Sequence, residues 1–203
     1  MPRARRRYEL RGVVSSAGFE SGDRFVIGHW LSSPIGPFTD LMWASPTGER
    51  VLRVPSERAL RFVSGIYAFD RAEITSVTAT VTTSSIEICA GDTEVRLAAG
   101  RARPIPFSSV PGFTRWVQDP IARLTMGVRT YGVSPTGVRE WYRSYVYRRV
   151  HTATGRVDGT ELGALAPRVD PPVHFGFSEP PRRPSMVWLR PLLEYPADHS
   201  GPV

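Results

Sequence analysis

Apolar and polar residues alternate along much of this 203-residue chain with a period of two, which is typical of β-strands. Between residues 93 and 98, Val95 and Leu97 alternate with Glu94 and Arg96. Segments of this kind bury one face and expose the other, as the strands of antiparallel sheets do. Short runs rich in Gly, Pro, Ser and Thr separate them and are typical of turns. The pattern therefore predicts a mainly β protein.

The strand pattern recurs from the N-terminal region almost to the C-terminus. The predicted strands are 8–14, 24–31, 38–44, 49–54, 73–82, 85–90, 93–98, 128–133, 137–150, 155–165, 173–177 and 186–193. Residues 15–22 are predicted to form a loop, and turns are predicted at 32–37, 45–48, 134–137 and 152–155.

Helical patterns are short and few. Ser56 is a suitable N-cap for a helix over 57–64, which Gly65 would end. A second helical pattern covers 111–126, where Pro120 would split it into two pieces. With so few helices, strand–helix–strand crossovers are scarce, and we predict a single antiparallel β-barrel or sandwich with two or three short helices. Barrels of this kind often hold one small ligand.

Three regions are predicted from this pattern: a basic tail and lead-in over 1–22, a single β domain over 23–195 and a disordered tail over 196–203. Four arginines lie within the first seven residues, and the net charge is +7. Such an arm can contact nucleic acid or can simply aid solubility. No apolar run approaches the roughly 18 residues that a membrane span needs. The basic start is not followed by the apolar segment of a secretory signal, so a cytoplasmic protein without membrane contact is expected.

The basic residues narrow the chemistry, because all 26 of them are arginine and the chain has no lysine. Schiff-base catalysis, a pyridoxal-phosphate anchor and a phosphate-loop lysine are therefore excluded. The single cysteine, Cys89, cannot form an internal disulfide, and on its predicted strand it is expected to be a structural thiol. The four histidines are far apart and lack the spacing of a helical zinc pair. We predict no metal site and no cofactor.

Two segments carry candidate site residues. In the first, a Gly36-Pro37 bend opens a strand that contains Asp40, which could stand at the rim of a barrel or simply bond backbone amides in a rigid turn.

In the second segment, Arg129 and Tyr131 share one face of a strand, and Arg139, Trp141 and Arg143 share a face of the next. If the strands pair, an arginine beside aromatic rings could bind the carboxylate of an apolar ligand. The alternative is an exposed ladder of arginines stacked on aromatic rings.

A resemblance to the acetoacetate-decarboxylase-like β superfamily follows from two motifs. Residues 36–40, Gly-Pro-Phe-Thr-Asp, resemble its Gly-Pro-aromatic-x-acid motif, with Asp in place of the usual Glu. Residues 65–71 are similar in outline to the segment that supplies the family's Schiff-base lysine, whose position falls on Arg71. Because arginine cannot form the imine, the resemblance implies a barrel and a cationic residue but not that decarboxylase mechanism. The Val-Arg-Thr-Tyr run at 128–131 also resembles bacterial members of this group, and the chain as a whole resembles uncharacterised actinobacterial proteins.

Three functional hypotheses follow. The first is a β domain that binds a small anionic or acyl ligand without Schiff-base chemistry, with Arg71, Arg129 and Tyr131 lining the pocket and Asp40 and Trp141 near it. The second is a non-covalent acid/base enzyme with Asp40 or Glu140 as the base and arginines stabilising an enolate or carboxylate. The third is nucleic-acid contact through the basic arm, although no known binding motif accompanies it. A homo-oligomer stays open.

Overall fold

The structure, a computed structural model, describes residues 6–105, 129–134 and 136–196. These residues form fourteen strands and one helix. The strands are β1 (Arg6–Glu9), β2 (Arg11–Gly18), β3 (Arg24–Ser32), β4 (Phe38–Ala44), β5 (Arg50–Val54), β6 (Arg71–Ile74), β7 (Val77–Val81), β8 (Ser85–Ala90), β9 (Thr93–Ala99), β10 (Arg103–Pro104), β11 (Tyr131–Val133), β12 (Arg139–Val157), β13 (Thr160–Glu161) and β14 (Ser185–Tyr195). The helix is α1 (Glu57–Ser64), between β5 and β6.

The strands join into one strongly curled sheet that resembles half of a barrel. Its main path runs β6-β5-β4-β3-β2-β14-β12-β9-β8-β7, with the short strands β1, β10, β11 and β13 paired to β14 or β12. Neighbouring strands are antiparallel except β5 and β6, which α1 connects and which are therefore parallel. β7 contacts β4, so the curl brings distant parts of the path together. The prediction of a mainly β, antiparallel barrel-like or sandwich-like fold is confirmed.

Strand β12 has 19 residues and pairs with two different strands on the same path of the sheet. Residues 139–149 pair with β14, and residues 150–157 pair with β9. A register irregularity between Ser144 and Val146 shifts the alternation of side chains by one residue, as a β-bulge does. Glu140, Tyr142 and Ser144 therefore face the same side as Tyr147, which lies beyond the bulge.

The curled sheet has a separate apolar core on each face. One core lies beneath α1 and includes Met42, Phe62 and Phe175. The other lies between β2–β4 and β7–β9 and includes Ile27, Leu41 and Ile88. Because successive residues of a strand point to opposite faces, the sequence Leu41-Met42 supplies both cores.

Turn and cap chemistry explains where several elements begin and end. Gly36 and Gly48 adopt φ of +93° and +91°, which favours glycine, and they end the turns between β3 and β4 and between β4 and β5. The Ser56 side chain accepts a hydrogen bond from the Ala59 backbone N–H, and Gly65 caps the other end of α1. These turns, the 57–64 helix and the hairpin of β4 and β5 agree with the predictions.

Other segments differ from the predictions. The 1–22 lead-in contains β1 and all of β2, which extends to Gly18 into the predicted loop over 15–22. β12 passes straight through the predicted turn at 152–155, and 73–82 is divided between β6 and β7. No strand forms over 173–177, within the described part of the chain. The predicted 111–126 helix and, apart from Pro196, the predicted 196–203 tail lie outside the described residues.

Two further observations concern the surface. Cys89 is exposed on the outer face of β8, so the prediction of a packed structural thiol is wrong. The side chains of Ile88 and Ala90, on either side of it, point into the core instead. Over the ranges that the structure describes, α1 is far too short to cross a bilayer, and no helix has the length and apolar character of a membrane span.

Candidate functional site

A cavity of about 330 Å³ lies on the face of the sheet that carries Met42, the same face as the core beneath α1. Five neighbouring strands, β4, β3, β2, β14 and β12, form its floor, and Tyr67 and the chain from 173 to 181 cover it. Its wall is mainly apolar carbon. The floor residues are Val14, Ser16, Val26, Gly28, Trp30, Asp40, Met42, Tyr142, Ser144, Tyr147, Ser185, Val187 and Leu189.

A second, much smaller cavity of about 20 Å³ adjoins the first, and the two share five lining residues. Its other lining residues include Glu140, Phe62 of α1 and Leu193 of β14. The shared residues are Trp30, Asp40, Met42, Tyr67 and Tyr142. Both carboxyls proposed from the sequence as candidate bases, Asp40 and Glu140, thus line the small cavity, and Asp40 also lines the large one.

Asp40 is fully buried, with 0 % of its side chain exposed. Its Oδ1 accepts a hydrogen bond of 2.8 Å from Trp30 Nε1 on the neighbouring strand β3. Its Oδ2 has no hydrogen-bond partner among the described residues, although it is buried. The carboxyl, which belongs to the cavity lining, is therefore held at one oxygen and has no hydrogen-bond partner among the described residues at the other.

Gly28 makes room for this carboxyl. It lies directly opposite Asp40 in the β3–β4 pairing, on the face that lines the cavity. A Cβ at this position would be 2.6 Å from Asp40 Oδ1 and 2.8 Å from Trp30 Nε1. No side chain fits at Gly28 without moving the Trp30–Asp40 pair.

Glu140 is the centre of a three-residue cluster with Tyr67 and Tyr142. The hydroxyls of both tyrosines donate to Glu140 Oε2 at 3.1 Å, and they also hydrogen-bond to each other. The Tyr142 ring stacks on Phe177, with ring centroids 5.6 Å apart. Gly176 lies against the ring of Tyr67, because a Cβ there would be 2.6 Å from a ring carbon. The 173–181 chain thereby fixes both rings.

Burial changes the acidity of the whole cluster. It raises the pKa of Asp40 to about 7, against the opposing effect of the hydrogen bond from Trp30. It raises the pKa of Glu140 to about 8, although the hydrogen bonds from Tyr142 and Tyr67 act in the opposite direction. Burial, with the nearby carboxyl of Glu140, holds the pKa of both tyrosines well above the usual value. Titratable groups perturbed in this way, inside a cavity, are typical of functional sites.

The four predicted ligand-binding residues lie elsewhere. Arg71 is at the start of edge strand β6, where it forms ion pairs with Glu73 and, at 3.2 Å, with Glu49. Arg129 is exposed, and its backbone N–H donates to Ser178 Oγ. Neither arginine is among the described residues that line these two cavities, and their role in ligand binding stays a prediction.

The predicted pairing of Tyr131 with Trp141 is present, because β11 and β12 align these residues and their ring centroids are 5.2 Å apart. Both rings lie on the other face of β12 from the cavity. On that face Arg139 pairs with Glu194, and Arg143 pairs with Glu9. These arginines thus form ion pairs with carboxylates, and the alternative of arginines stacked on the aromatic rings stays a prediction.

Trp30, Tyr67 and Tyr142 were missed by the sequence analysis. For Tyr142 a signal existed, because it is two residues from Glu140 on one strand and must share its face. For Tyr67 and Trp30 the sequence offers no such link, since their partners are 73 and 10 residues away.

Two further predictions concern the basic N-terminal arm and metal binding. Residues 1–5 lie outside the described part of the chain, and Arg7 forms an ion pair of 2.8 Å with the buried Glu194. Across the ranges 6–105, 129–134 and 136–196, no three His, Cys, Asp or Glu residues come together as a metal-binding group.

Comparison with known proteins assigns no relative. No family model matches the chain, and no curated protein sequence matches it. The resemblance to the acetoacetate-decarboxylase-like superfamily therefore stays a prediction.

Proposed function

We propose that this protein binds a small, neutral, largely apolar organic molecule in the 330 Å³ cavity, with a polar group of that molecule at the Asp40–Tyr67–Tyr142 end. The observation that carries the proposal is the cavity itself, whose wall is mainly apolar carbon and which has Asp40, Tyr67 and Tyr142 together where it adjoins the small cavity. Small-molecule sites have this composition, and their volumes begin at about 300 Å³.

The charge of the lining favours a neutral ligand over the carboxylate that the sequence suggested. Among the described residues that line either cavity there is no arginine and no histidine. The ionisable groups there are carboxyls and tyrosines, including Asp40, Glu140 and Glu179. An anion would be buried without a cationic partner and beside acidic groups, at a high cost in desolvation.

A matched pair of probes tests this proposal: 2-acetonaphthone, a neutral ketone, and 2-naphthoate, a carboxylate on the same ring system. Quenching of tryptophan fluorescence by each probe gives its dissociation constant at pH 8. We expect the ketone to bind at least tenfold more tightly than the carboxylate. Equal or tighter binding of the carboxylate would overturn the choice of a neutral ligand.

A variant that fills the cavity identifies the place of binding. Val187 lines the cavity, whereas Val133 on β11 is 49 % exposed and lies outside it. We expect Val187→Trp to abolish ketone binding and Val133→Trp to leave it unchanged. Ketone binding that survives Val187→Trp would show that the cavity is not the site.

A further inference from the structure

We propose that the cavity also catalyses proton exchange at the carbon next to the carbonyl group of its ligand, with Asp40 as the proton acceptor and the Tyr67–Tyr142–Glu140 cluster as the hydrogen-bond donor to the carbonyl oxygen. This inference rests on the proposed function, since it requires a neutral carbonyl compound in the cavity. It adds a reaction class, enolisation, and gives the two carboxyls different roles.

The geometry separates the two roles. Asp40 has one oxygen fixed by Trp30 and the other without a partner among the described residues, so it can take a proton from the cavity. Glu140 is not among the residues of the large cavity, whereas Tyr67 and Tyr142, whose hydroxyls contact Glu140, line both cavities. A ligand therefore meets a carboxyl at Asp40 and hydroxyls at Tyr67 and Tyr142.

The number of protons in the Tyr67–Tyr142–Glu140 cluster determines whether it can donate a hydrogen bond to the ligand. Three oxygen atoms contact one another: the two tyrosine hydroxyls and Glu140 Oε2. With Glu140 ionised, both hydroxyl protons are directed to its carboxylate. With Glu140 protonated there are three protons, and a chain of two hydrogen bonds leaves one tyrosine O–H for the ligand. A neutral carboxylic acid thus turns the tyrosines toward the substrate.

The reaction step follows from these positions. The Asp40 carboxylate takes the proton from the carbon next to the carbonyl group. The electron pair of that C–H bond forms the C=C bond, and the carbonyl π pair moves to oxygen, where the tyrosine O–H stabilises it. The bound proton exchanges with water, and its return to carbon restores the ketone. This proton transfer and its reversal need no oxidant, metal or covalent intermediate.

The two acidities define a pH window. Asp40 must be ionised, which holds above about pH 7, and Glu140 must be protonated, which holds below about pH 8. We therefore expect a bell-shaped rate profile with its maximum between these values. Among the described residues, the titratable groups that line the two cavities with Asp40 are Tyr67 from the segment after α1, Glu140, Tyr142 and Tyr147 from β12, and Glu179 from the covering chain. Glu179 is already bound to the backbone N–H groups of Val173 and His174.

The experiment follows the loss of deuterium from methyl-deuterated 2-acetonaphthone in water by NMR, while fluorescence measures its binding to the same sample. For the wild type we expect exchange well above the buffer rate. We expect Asp40→Asn to bind the ketone but to exchange it at least about 100-fold more slowly. Tyr142→Phe should lower the rate at least tenfold, whereas Tyr145→Phe, the same change on the same strand outside the cavity, should not.

Glu140 acts through the tyrosines and is a positioning residue, so its test is the pH profile. Glu140→Gln keeps a neutral group that cannot ionise, and we expect it to retain exchange and to lose the decline above pH 8. Trp30→Phe removes the hydrogen bond that lowers the pKa of Asp40, so the rise in rate should move to higher pH.

The outcomes are distinct. Ketone binding without exchange, or equal exchange by wild type and Asp40→Asn, would overturn this inference and leave the proposed binding function intact. Absence of ketone binding to the wild type would overturn both.

Discussion

At the scale of single residues, the buried carboxyls of Asp40 and Glu140 make the stability of the protein depend on pH. Their pKa values are raised to about 7 and about 8 by burial. Between roughly pH 4 and those values the unfolded chain releases protons that the folded chain keeps, so the free energy of unfolding falls as pH rises. For Asp40 alone the loss amounts to at most about 4 kcal/mol by pH 8.

We therefore expect urea denaturation of the wild type to show decreasing stability from pH 5 to pH 8. The Asp40→Asn/Glu140→Gln variant should have a flatter profile and be the more stable protein at pH 8. Glu87→Gln, at an exposed position of β8, serves as the control and should keep the wild-type slope. A wild-type profile without slope would show that the two carboxyls ionise as freely as in the unfolded chain.

Gly28 allows a second prediction at this scale. We expect Gly28→Ala to weaken ketone binding and to destabilise the fold by about 1–3 kcal/mol, because the new methyl group overlaps Asp40 and Trp30. Adding Asp40→Ala removes the nearest overlapping atoms and should recover part of the lost stability. Fluorescence titration and urea denaturation measure the two effects. Unchanged stability in Gly28→Ala would mean that the carboxyl moves aside at no cost.

At the scale of the elements, α1 ends three residues before Tyr67 and so helps to place that ring over the cavity. Ser56 caps the helix by accepting from the Ala59 N–H. We expect Ser56→Ala to lower stability by about 1 kcal/mol and Ser56→Asp, which keeps a capping oxygen, to have little effect. Denaturation midpoints at constant slope measure the difference. Equal losses in both variants would show that the side-chain cap is not the cause.

Elements defined by local chemistry were predictable. β3 and β4 agree with 24–31 and 38–44 almost to the residue, because a Pro- and Gly-rich turn separates them. β12 was divided incorrectly at 152–155, where Gly155 looked like part of a turn. In the fold its lack of a side chain serves close packing, since a Cβ there would be 2.8 Å from Leu162 and 2.9 Å from Phe19. A distant contact of this kind leaves no local signal.

The 173–177 segment shows the limit of β-propensity. Val173 and Phe175 are buried, so their apolar character is used for packing, yet the segment covers the sheet as irregular chain instead of joining it. Preference for strands reflects burial as much as pairing.

The sequence predicted the two carboxyls of the candidate site but not the aromatic residues around them. Asp40 and Glu140 were identified as candidate bases, but β12 carries aromatic residues on both faces. Alternation divides Trp141 from Tyr142 without saying which of them faces inward. The arginines beside Trp141 drew attention to the outer face, where they pair with Glu9 and Glu194.

At the scale of the whole molecule, Arg53 of β5 connects two distant parts of the curled sheet. The residue is only 4 % exposed, and its side chain donates to Glu73 of β6 at 2.9 Å and to the Ala90 carbonyl, at the end of β8, at 3.0 Å. It also bonds to Asp92 and Thr93. β5 and β8 are far apart along the sheet path, so this one residue helps to hold the curl.

We expect Arg53→Met to lower the free energy of unfolding by about 2 kcal/mol, because it leaves the Ala90 carbonyl without this donor. Arg53→Lys keeps the charge but lacks the planar set of donors, and it should be intermediate. Arg61→Met, which breaks an exposed pair with Glu57, should cost less than 1 kcal/mol. Urea denaturation at pH 7 provides all three values. Similar losses in the free energy of unfolding for Arg53→Met and Arg61→Met would show that the buried contacts of Arg53 do not stabilise the curled sheet.

The exposed thiol of Cys89 gives the molecule a single site for thiol-specific labelling. It is the one cysteine of the sequence, and it stands on the outer face of β8, a strand that contributes no residue to either cavity. A maleimide dye or a surface linker therefore attaches at one defined position and leaves the cavity unmodified. Immobilised in one orientation through Cys89, the protein could be screened directly against libraries of neutral carbonyl compounds.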